Sequence, residues 1–314
     1  MDALSAVLAP VRLQRTRWAF TAGRAPWGVA LPATKSCVRF HYLLRGSAWL
    51  SVDRSGEPRV ALSGGDLVVL PLGHAHALRD HPRSTTTSFE ELAECAARPD
   101  SIVLHIDVGA KGPETSFITG AFVLDDPLAR PIVAALPPAI RMTPDGQHGV
   151  PSFLENIRFI TSEVEQGRPG SEIVLLRMAD VMFIQILRAC LARFPDDGGG
   201  FLGALRDPCT AAALAAMHRH PEAPWTVASL AKEAGVSRSV FAARFTQLVG
   251  EPPLGYLTDL RMQKATALLR DGATLAKVSR MTGYASEASF SYAFRQWAGV
   301  APGAWRRKVA PPPV

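Results

Sequence analysis

Apolar positions along this chain follow two rhythms. Between residues 18 and 107 they come in short runs rich in Val, Ile, Phe, Tyr and Trp, punctuated by Gly and Pro. That pattern predicts many short strands closed into a small sandwich or barrel. RFHYLLRGSAWLSVD predicts two strands broken at Arg45-Gly46-Ser47 as a hairpin, and VALSGGDLVVLPLGHAHAL a second pair around Gly64-Gly65. SIVLHIDVG adds another strand, and residues 1–10 ahead of them predict a short amphipathic helix. GAFVLDDPLARPIVAALPPAIRM predicts a strand, a turn at Asp125-Asp126-Pro127 and a short helix stopped by Pro137-Pro138.

Beyond that point the spacing is helical. Two long helices are expected at about 152–166 and 171–194, the second opened by Pro169-Gly170-Ser171. In the second, Ile173, Val174, Leu176, Val181, Ile184, Leu187 and Leu191 cover well over half the cylinder. Such a helix needs cover on two sides. The barrel supplies one, and the other is either the same chain or a second subunit, so the segment 152–194 is the candidate homodimer surface. Asp196-Asp197-Gly198-Gly199-Gly200 reads as a linker, after which Asp207-Pro208 caps a helix running to about Arg219.

From residue 225 onward the chain repeats itself. Val227, Ala234 and Gly235 match Leu275, Thr282 and Gly283 at an offset of 48; Phe241, Phe245, Gly250 and Pro253 match Phe290, Phe294, Gly299 and Pro302 at 49. Each copy reads as a short helix, a turn at glycine and a second helix opened by serine, which is a helix-turn-helix. The two fall at about 226–249 and 274–298, joined by one expected helix over 253–270, roughly 27 Å long. A spacer of that length suits two recognition helices set about one DNA turn, near 34 Å, apart. In the first recognition helix, Val240, Phe241, Phe245 and Leu248 are the expected core. Ser237, Arg238, Ser239, Ala242, Ala243 and Arg244 form its outward set, small residues flanked by arginines. In the second, Phe290, Phe294 and Trp297 are the expected core, and Glu287, Ala288, Ser291, Tyr292 and Arg295 face outward. Glu accepts from cytosine N4, Arg pairs with guanine, and Tyr meets phosphate or a thymine methyl, so the second copy is expected to discriminate bases more.

Charge supports a polyanionic partner. The net +6 is carried entirely by residues 211–314, with thirteen Lys and Arg against six Asp and Glu; the remainder holds 21 against 22. At 47% apolar and 20% charged residues the chain is an ordinary globular one, and its length predicts two domains. Cys37, Cys95, Cys190 and Cys209 lie far apart with no zinc spacing, as in a reducing compartment. The longest apolar stretch, 173–194, contains Arg177, Asp180, Arg188 and Arg193, which argues against a membrane span. The N-terminus carries no secretory pattern. A cytoplasmic protein is expected.

The strand-rich half holds one further motif. Gly65, Pro71, Gly73 and His76 fit G-x5-P-x-G-x2-H. The run resembles the second motif of cupins, double-stranded β-helix barrels that hold a small ligand or metal. His74 and His76, expected on one strand face, are the weak metal candidates. His41, Trp49, His74, His76 and His105 are the candidate effector residues of a metal-free pocket, and no cofactor is expected.

GYASEASFSYAFRQWAGVAPGAWRR is similar to the signature of the AraC/XylS family of bacterial transcription regulators. That resemblance covers about 205–308 and implies an all-α domain with two helix-turn-helix units. Residues 1–195 resemble the cupin-type sensor domain of one branch of the family, with 196–204 as linker and 205–314 as the DNA-binding domain. The fold class expected is α+β, a cupin-like β-barrel with a helical pair followed by that all-α domain. The function implied is sequence-specific binding of double-stranded promoter DNA, with RNA polymerase as a partner, activation as the outcome and a small effector at the barrel. A metal-dependent cupin enzyme carrying a DNA-binding domain is the alternative.

Overall fold

The computed structural model describes residues 2–9, 13, 15–53, 59–96, 102–123, 130–144, 151–166, 168–193 and 200–309. The chain opens on helix α1 (Ala3–Leu8), capped by Asp2, whose carboxylate accepts from the Ser5 amide. Eleven strands follow among the described residues: β1 (Arg15–Arg24), β2 (Gly28–Leu31), β3 (Cys37–Arg45), β4 (Ser47–Val52), β5 (Val60–Ser63), β6 (Leu67–Leu70), β7 (His76–Arg79), β8 (Thr87–Ser88), β9 (Val103–Gly109), β10 (Glu114–Val123) and β11 (Ile140–Met142). Among them lie α2 (Phe89–Ala96) and α3 (Arg130–Ala134); α4 (Pro151–Gln166) and α5 (Ser171–Arg193) come after. The C-terminal part is helical: α6 (Phe201–Arg206), α7 (Pro208–Arg219), α8 (Val227–Glu233), α9 (Arg238–Val249), α10 (Pro253–Arg270), α11 (Leu275–Met281), α12 (Glu287–Ala298) and α13 (Pro302–Val309).

These elements form two compact units. The β unit has two sheets, ordered β11-β6-β3-β10-β1-β9 and β5-β4-β7-β2-β8. The strand at Cys37–Arg45 is buried on both faces from Cys37 to Leu43. One face looks between the sheets, where Leu43 joins Trp27, Leu50, Leu70, Leu78 and Phe117 in the core. On the other, Phe40 meets Trp18, Phe122 and Phe153 of α4 at ring separations of 5.4–5.7 Å. The helix pair therefore covers the outer face of the larger sheet, and α5 packs on β1.

The two expected hairpins do not form. β3 and β4 lie in different sheets, and so do β5 and β6; the ladders run instead between β3 and β6 and between β4 and β5. Gly46 and Gly65 both have positive φ, which lets the chain turn a corner between sheets where a hairpin would have folded back. The backbone ties the corners together: Gly64 donates to the Gly46 carbonyl and Gly65 to that of Leu43. Asp66, buried, accepts from the Ser63 amide and from Arg141 at 2.8 Å each, so the turn expected before β6 is built as the motif predicts.

Further differences come from tertiary context. The amphipathic N-terminal helix was expected in the barrel domain, yet α1 belongs to the helical unit, with Ala3, Ala6, Val7 and Leu8 buried and the helix packed on α7. Of the expected linker 196–204, residues 201–204 open α6, where Phe201, Leu202, Ala204 and Leu205 are buried; 196–199 lie outside the described residues, as do the 125–127 turn and position 194. On α5, Ile173 and Val181 are exposed, as is Phe159 on α4.

Gly120 sits in the ladder between Phe40 and Trp18, and a Cβ there would stand 2.1 Å from the Phe40 ring. Gly120→Ala must push Phe40 out of the aromatic cluster and should destabilise the β unit by about 1–3 kcal/mol, as overpacking does. Urea unfolding followed by tryptophan fluorescence checks it; unchanged stability would mean that Phe40 has room to move.

Candidate DNA interface and barrel cavities

The two helix-turn-helix copies are capped alike. Thr226 and Thr274 cap the first helices, and Ser237 and Ser286 the recognition helices α9 and α12. Thr226 with Ser229, and Ser286 with Ser289, form reciprocal capping boxes. Gly235 and Gly283 take positive φ in the turns, and Gly250 and Gly299 end the recognition helices in the left-handed conformation. Each recognition helix is anchored by two fully buried phenylalanines, Phe241 with Phe245 and Phe290 with Phe294. Helix α10 holds the second copy and the chain before the first. Its Asp259 accepts the Trp297 indole N–H at 2.9 Å, and its Arg261 donates to the carbonyls of Pro221 and Ala223 at 2.7 and 2.8 Å.

Of the expected outward set, Ser237, Arg238, Ser239, Ala243 and Arg244 are exposed in the first copy, with Ala242 half-buried. Glu287, Ala288, Tyr292 and Arg295 are exposed in the second, with Ser291 half-buried, and Tyr292 is 70% exposed. Two expected core residues are not core. Val240 is 52% exposed because the outward stripe of α9 is wider than its apolar spacing suggests, and Trp297 is 39% exposed with its indole held by Asp259. Arg244 is committed elsewhere: its Nε donates to Asp207 at 2.7 Å and its guanidinium forms an ion pair with that carboxylate, the cap of α7. Gln247 and Gln296, one residue type at equivalent places, are exposed on both helices and were missed, because glutamine is unremarkable in a polar stretch.

The barrel interior holds a histidine pair. His41 Nε2 stands 2.7 Å from His76 Nε2, both rings buried. His76 Nδ1 lies 2.8 Å from the His74 carbonyl, which can only accept, so Nδ1 carries the proton and Nε2 is the acceptor. His41 therefore donates from Nε2, and its Nδ1 accepts from the Thr119 hydroxyl at 2.9 Å. Burial pushes His41 well below its ordinary value and His76 down to about 4.

The other candidate effector residues are not brought to this pair. Trp49 alternates with the core residues Ala48 and Leu50 and faces outward; His105 is exposed and stacks on Phe20. His74 precedes β7, so His74 and His76 do not share a strand face. Nor do the residues suit a metal. Two nitrogens on one tetrahedral zinc, each at about 2.0–2.1 Å, would stand about 3.3 Å apart, beyond the observed 2.7 Å. Among the described residues no group of three or more His, Cys, Asp or Glu could hold an ion.

Among the described residues, cavities open on the barrel at two places. One, of about 510 Å³, is bordered by His76, Arg79 and Ser51. The other, of about 300 Å³, lies between β1, β3 and β10 and is bordered by α2; Arg39, Cys37, Thr119, Leu104 and Phe89 line it. Arg39 is buried and donates to the Pro32 carbonyl and the Thr34 hydroxyl at 2.6 Å each. Burial raises the Cys37 thiol above its ordinary value. None of the five residues expected to bind an effector lines this second cavity. An arginine in an alternating apolar strand was the available signal for it.

The histidine pair sets a pH dependence. Its neutral form is favoured in the fold, while an unfolded histidine titrates near 6.5. The stabilisation is complete above pH 6.5 and lost as pH falls below it, for His76 by about 1.4 kcal/mol per pH unit between about 6.5 and 4, with His41 acting in the same direction. His218 in the helical unit, also held at about 4 by burial, acts in the same direction. Thermal unfolding measured across pH 7 to 4.5 should show this decline, and His76→Gln should flatten it for the β unit; an equal slope in the variant would remove the pair as its source.

A family described as "Cupin" matches residues 2–192, and one described as "Helix-turn-helix domain" matches residues 230–308. The chain is 33% identical to a putative AraC-like transcription regulator of Streptomyces lividans, covering 99% of this chain and 100% of that one. It is 29% identical to RclR of Escherichia coli, described as an RCS-specific HTH-type transcriptional activator, over 87% of this chain and 86% of the relative. The solved DNA-binding domain of AdpA, in complex with a target DNA, is 30% identical over 32% of this chain and 92% of that one, with a TM-score of 0.30. No described helix is long and apolar enough to cross a membrane. With a cupin domain ahead of a helix-turn-helix domain, and a full-length match to such a regulator, the chain belongs to the AraC-like transcription regulators, which bind double-stranded DNA.

Proposed function

We propose that this regulator binds promoter DNA with both recognition helices, one in each of two adjacent major-groove segments, and activates transcription through contact with RNA polymerase. The observation that carries this reading is the pair of exposed, unlike helix faces on one basic unit. α9 presents Ser237, Arg238, Ser239 and Ala243, and α12 presents Glu287, Ala288, Tyr292 and Arg295. The first set is small and suits close approach with phosphate contact; the second carries the hydrogen-bonding groups that read base edges. Activation is supported by the description of RclR as an activator. A small effector bound at the barrel tunes the protein, and the exposed Phe159, Ile173 and Val181 on α4 and α5 suit a homodimer surface. The protein is not an enzyme in this reading and works in the cytoplasm.

Selection of bound sequences from a random DNA pool tests the division of labour. Arg295→Ala should relax preference at one position of one half-site, by about 1–3 kcal/mol. Arg238→Ala should weaken all sequences alike and lower the slope of log affinity against log salt by about one. Unchanged selection profiles in Arg295→Ala, or affinity that does not depend on salt, would sink the proposal.

A further inference from the structure

Arg39 is a buried cation, and among the described residues no buried anion stands beside it. Its side chain extends from β3 into the 300 Å³ cavity, and the residue is 8% exposed. Its two short hydrogen bonds go to neutral groups, the Pro32 carbonyl and the Thr34 hydroxyl. Among the described residues no carboxylate lies within ion-pair distance of it. A guanidinium does not give up its proton in a protein, and leaving its charge buried and unpaired is costly. Five N–H groups fork from its plane, so donors remain beyond the two that hold the loop at Pro32 and Thr34.

The rest of the lining narrows the chemistry. Ala19, Leu31, Phe89, Leu104, Ala121 and Val123 make most of the wall apolar. Two other charged side chains border the cavity, Arg17 and Glu90; both are exposed and opposite in sign. Glu90 attracts Arg39 across the cavity, and the three charges sum to one positive charge. A singly charged anion brings this set to neutrality, whereas a dianion overshoots it. The volume is at the small end of the roughly 300–1,000 Å³ typical of ligand pockets.

We propose that this cavity binds a small monocarboxylate with a compact apolar body, its carboxylate paired with Arg39 and its body against Leu31, Phe89 and Leu104. This rests on the reading of the barrel as the effector-binding part and gives that effector a chemical class. Carboxylate pairing with arginine is planar and two-pronged, which orients the ligand as well as holding it.

Calorimetric titration of the full chain with hexanoate and phenylacetate, each beside its primary amide, and with inorganic phosphate tests this. The carboxylates should bind about tenfold or more tighter than the amides, as expected for a charged hydrogen bond. Arg39→Lys should keep the preference and Arg39→Met lose it, while Ala121→Phe should block both by filling the cavity. The amide comparison uses the unaltered chain and decides the matter even where a variant does not fold. Amides binding as tightly as acids, phosphate binding best, or no binding of either acid at millimolar concentration overturns the proposal. DNA titrations with each compound separate it from the reading it rests on. Acids that bind without changing DNA affinity overturn the barrel's effector role and leave the carboxylate site standing. Amides that alter DNA affinity without a preference for acids do the reverse.

Discussion

A recognition helix that must offer one face to DNA has only its other face to hold it. In this protein that second face is narrow, and two phenylalanines in each copy do the holding. Phe241 with Phe245 and Phe290 with Phe294 are fully buried, with ring centres 5.5 and 5.6 Å apart. A buried phenylalanine is worth about 3–5 kcal/mol against alanine, far more than any exposed contact on the same helix. Because those anchors suffice, the outward positions are free to differ, as they do between Ala243 and its counterpart Tyr292. The caps and left-handed glycines keep each helix short enough to expose its whole outward face.

The helical unit is braced from places the repeat does not include. α10 gives Asp259 to Trp297 and takes the chain at Pro221 and Ala223 through Arg261. Asp207 caps α7 and holds Arg244 of α9, so one carboxylate fixes a helix start and a recognition-helix side chain together. α1 packs on α7 and brings the beginning of the chain into the same unit.

In the β unit the equivalent constraint is a strand with no solvent face. β3 carries Phe40 to the aromatic cluster under α4 and, on alternate positions, Cys37, Arg39, His41 and Leu43 to the interior. Polar groups put there need partners, and most have them: His41 is held by His76 and Thr119, and Arg39 by Pro32 and Thr34. What distinguishes Arg39 is that it carries a fixed charge while its hydrogen-bond partners are neutral, and that it borders a cavity. The chemistry of the barrel therefore follows from which face of one strand each side chain takes.

Local signals determined much of this protein from the sequence alone. The repeat, its offsets of 48 and 49, the serine and threonine caps and the turn glycines all act within a few residues of themselves, so the second half was legible residue by residue. The same held for α4, α5, α7 and α10, whose periodicity and caps are local, and for the turn at Asp66. Tertiary structure alone decided what depends on neighbours far along the chain. Whether Gly46 and Gly65 close hairpins or turn corners between sheets is settled by which strands lie beside them. Whether Val240, Trp297, Trp49 and His105 face in or out is settled by what packs on their elements. Where α1 goes depends on α7, some two hundred residues later. The cavity at Arg39 is assembled from β1, β2, β3, β9, β10 and α2, and no spacing along the chain records that they meet.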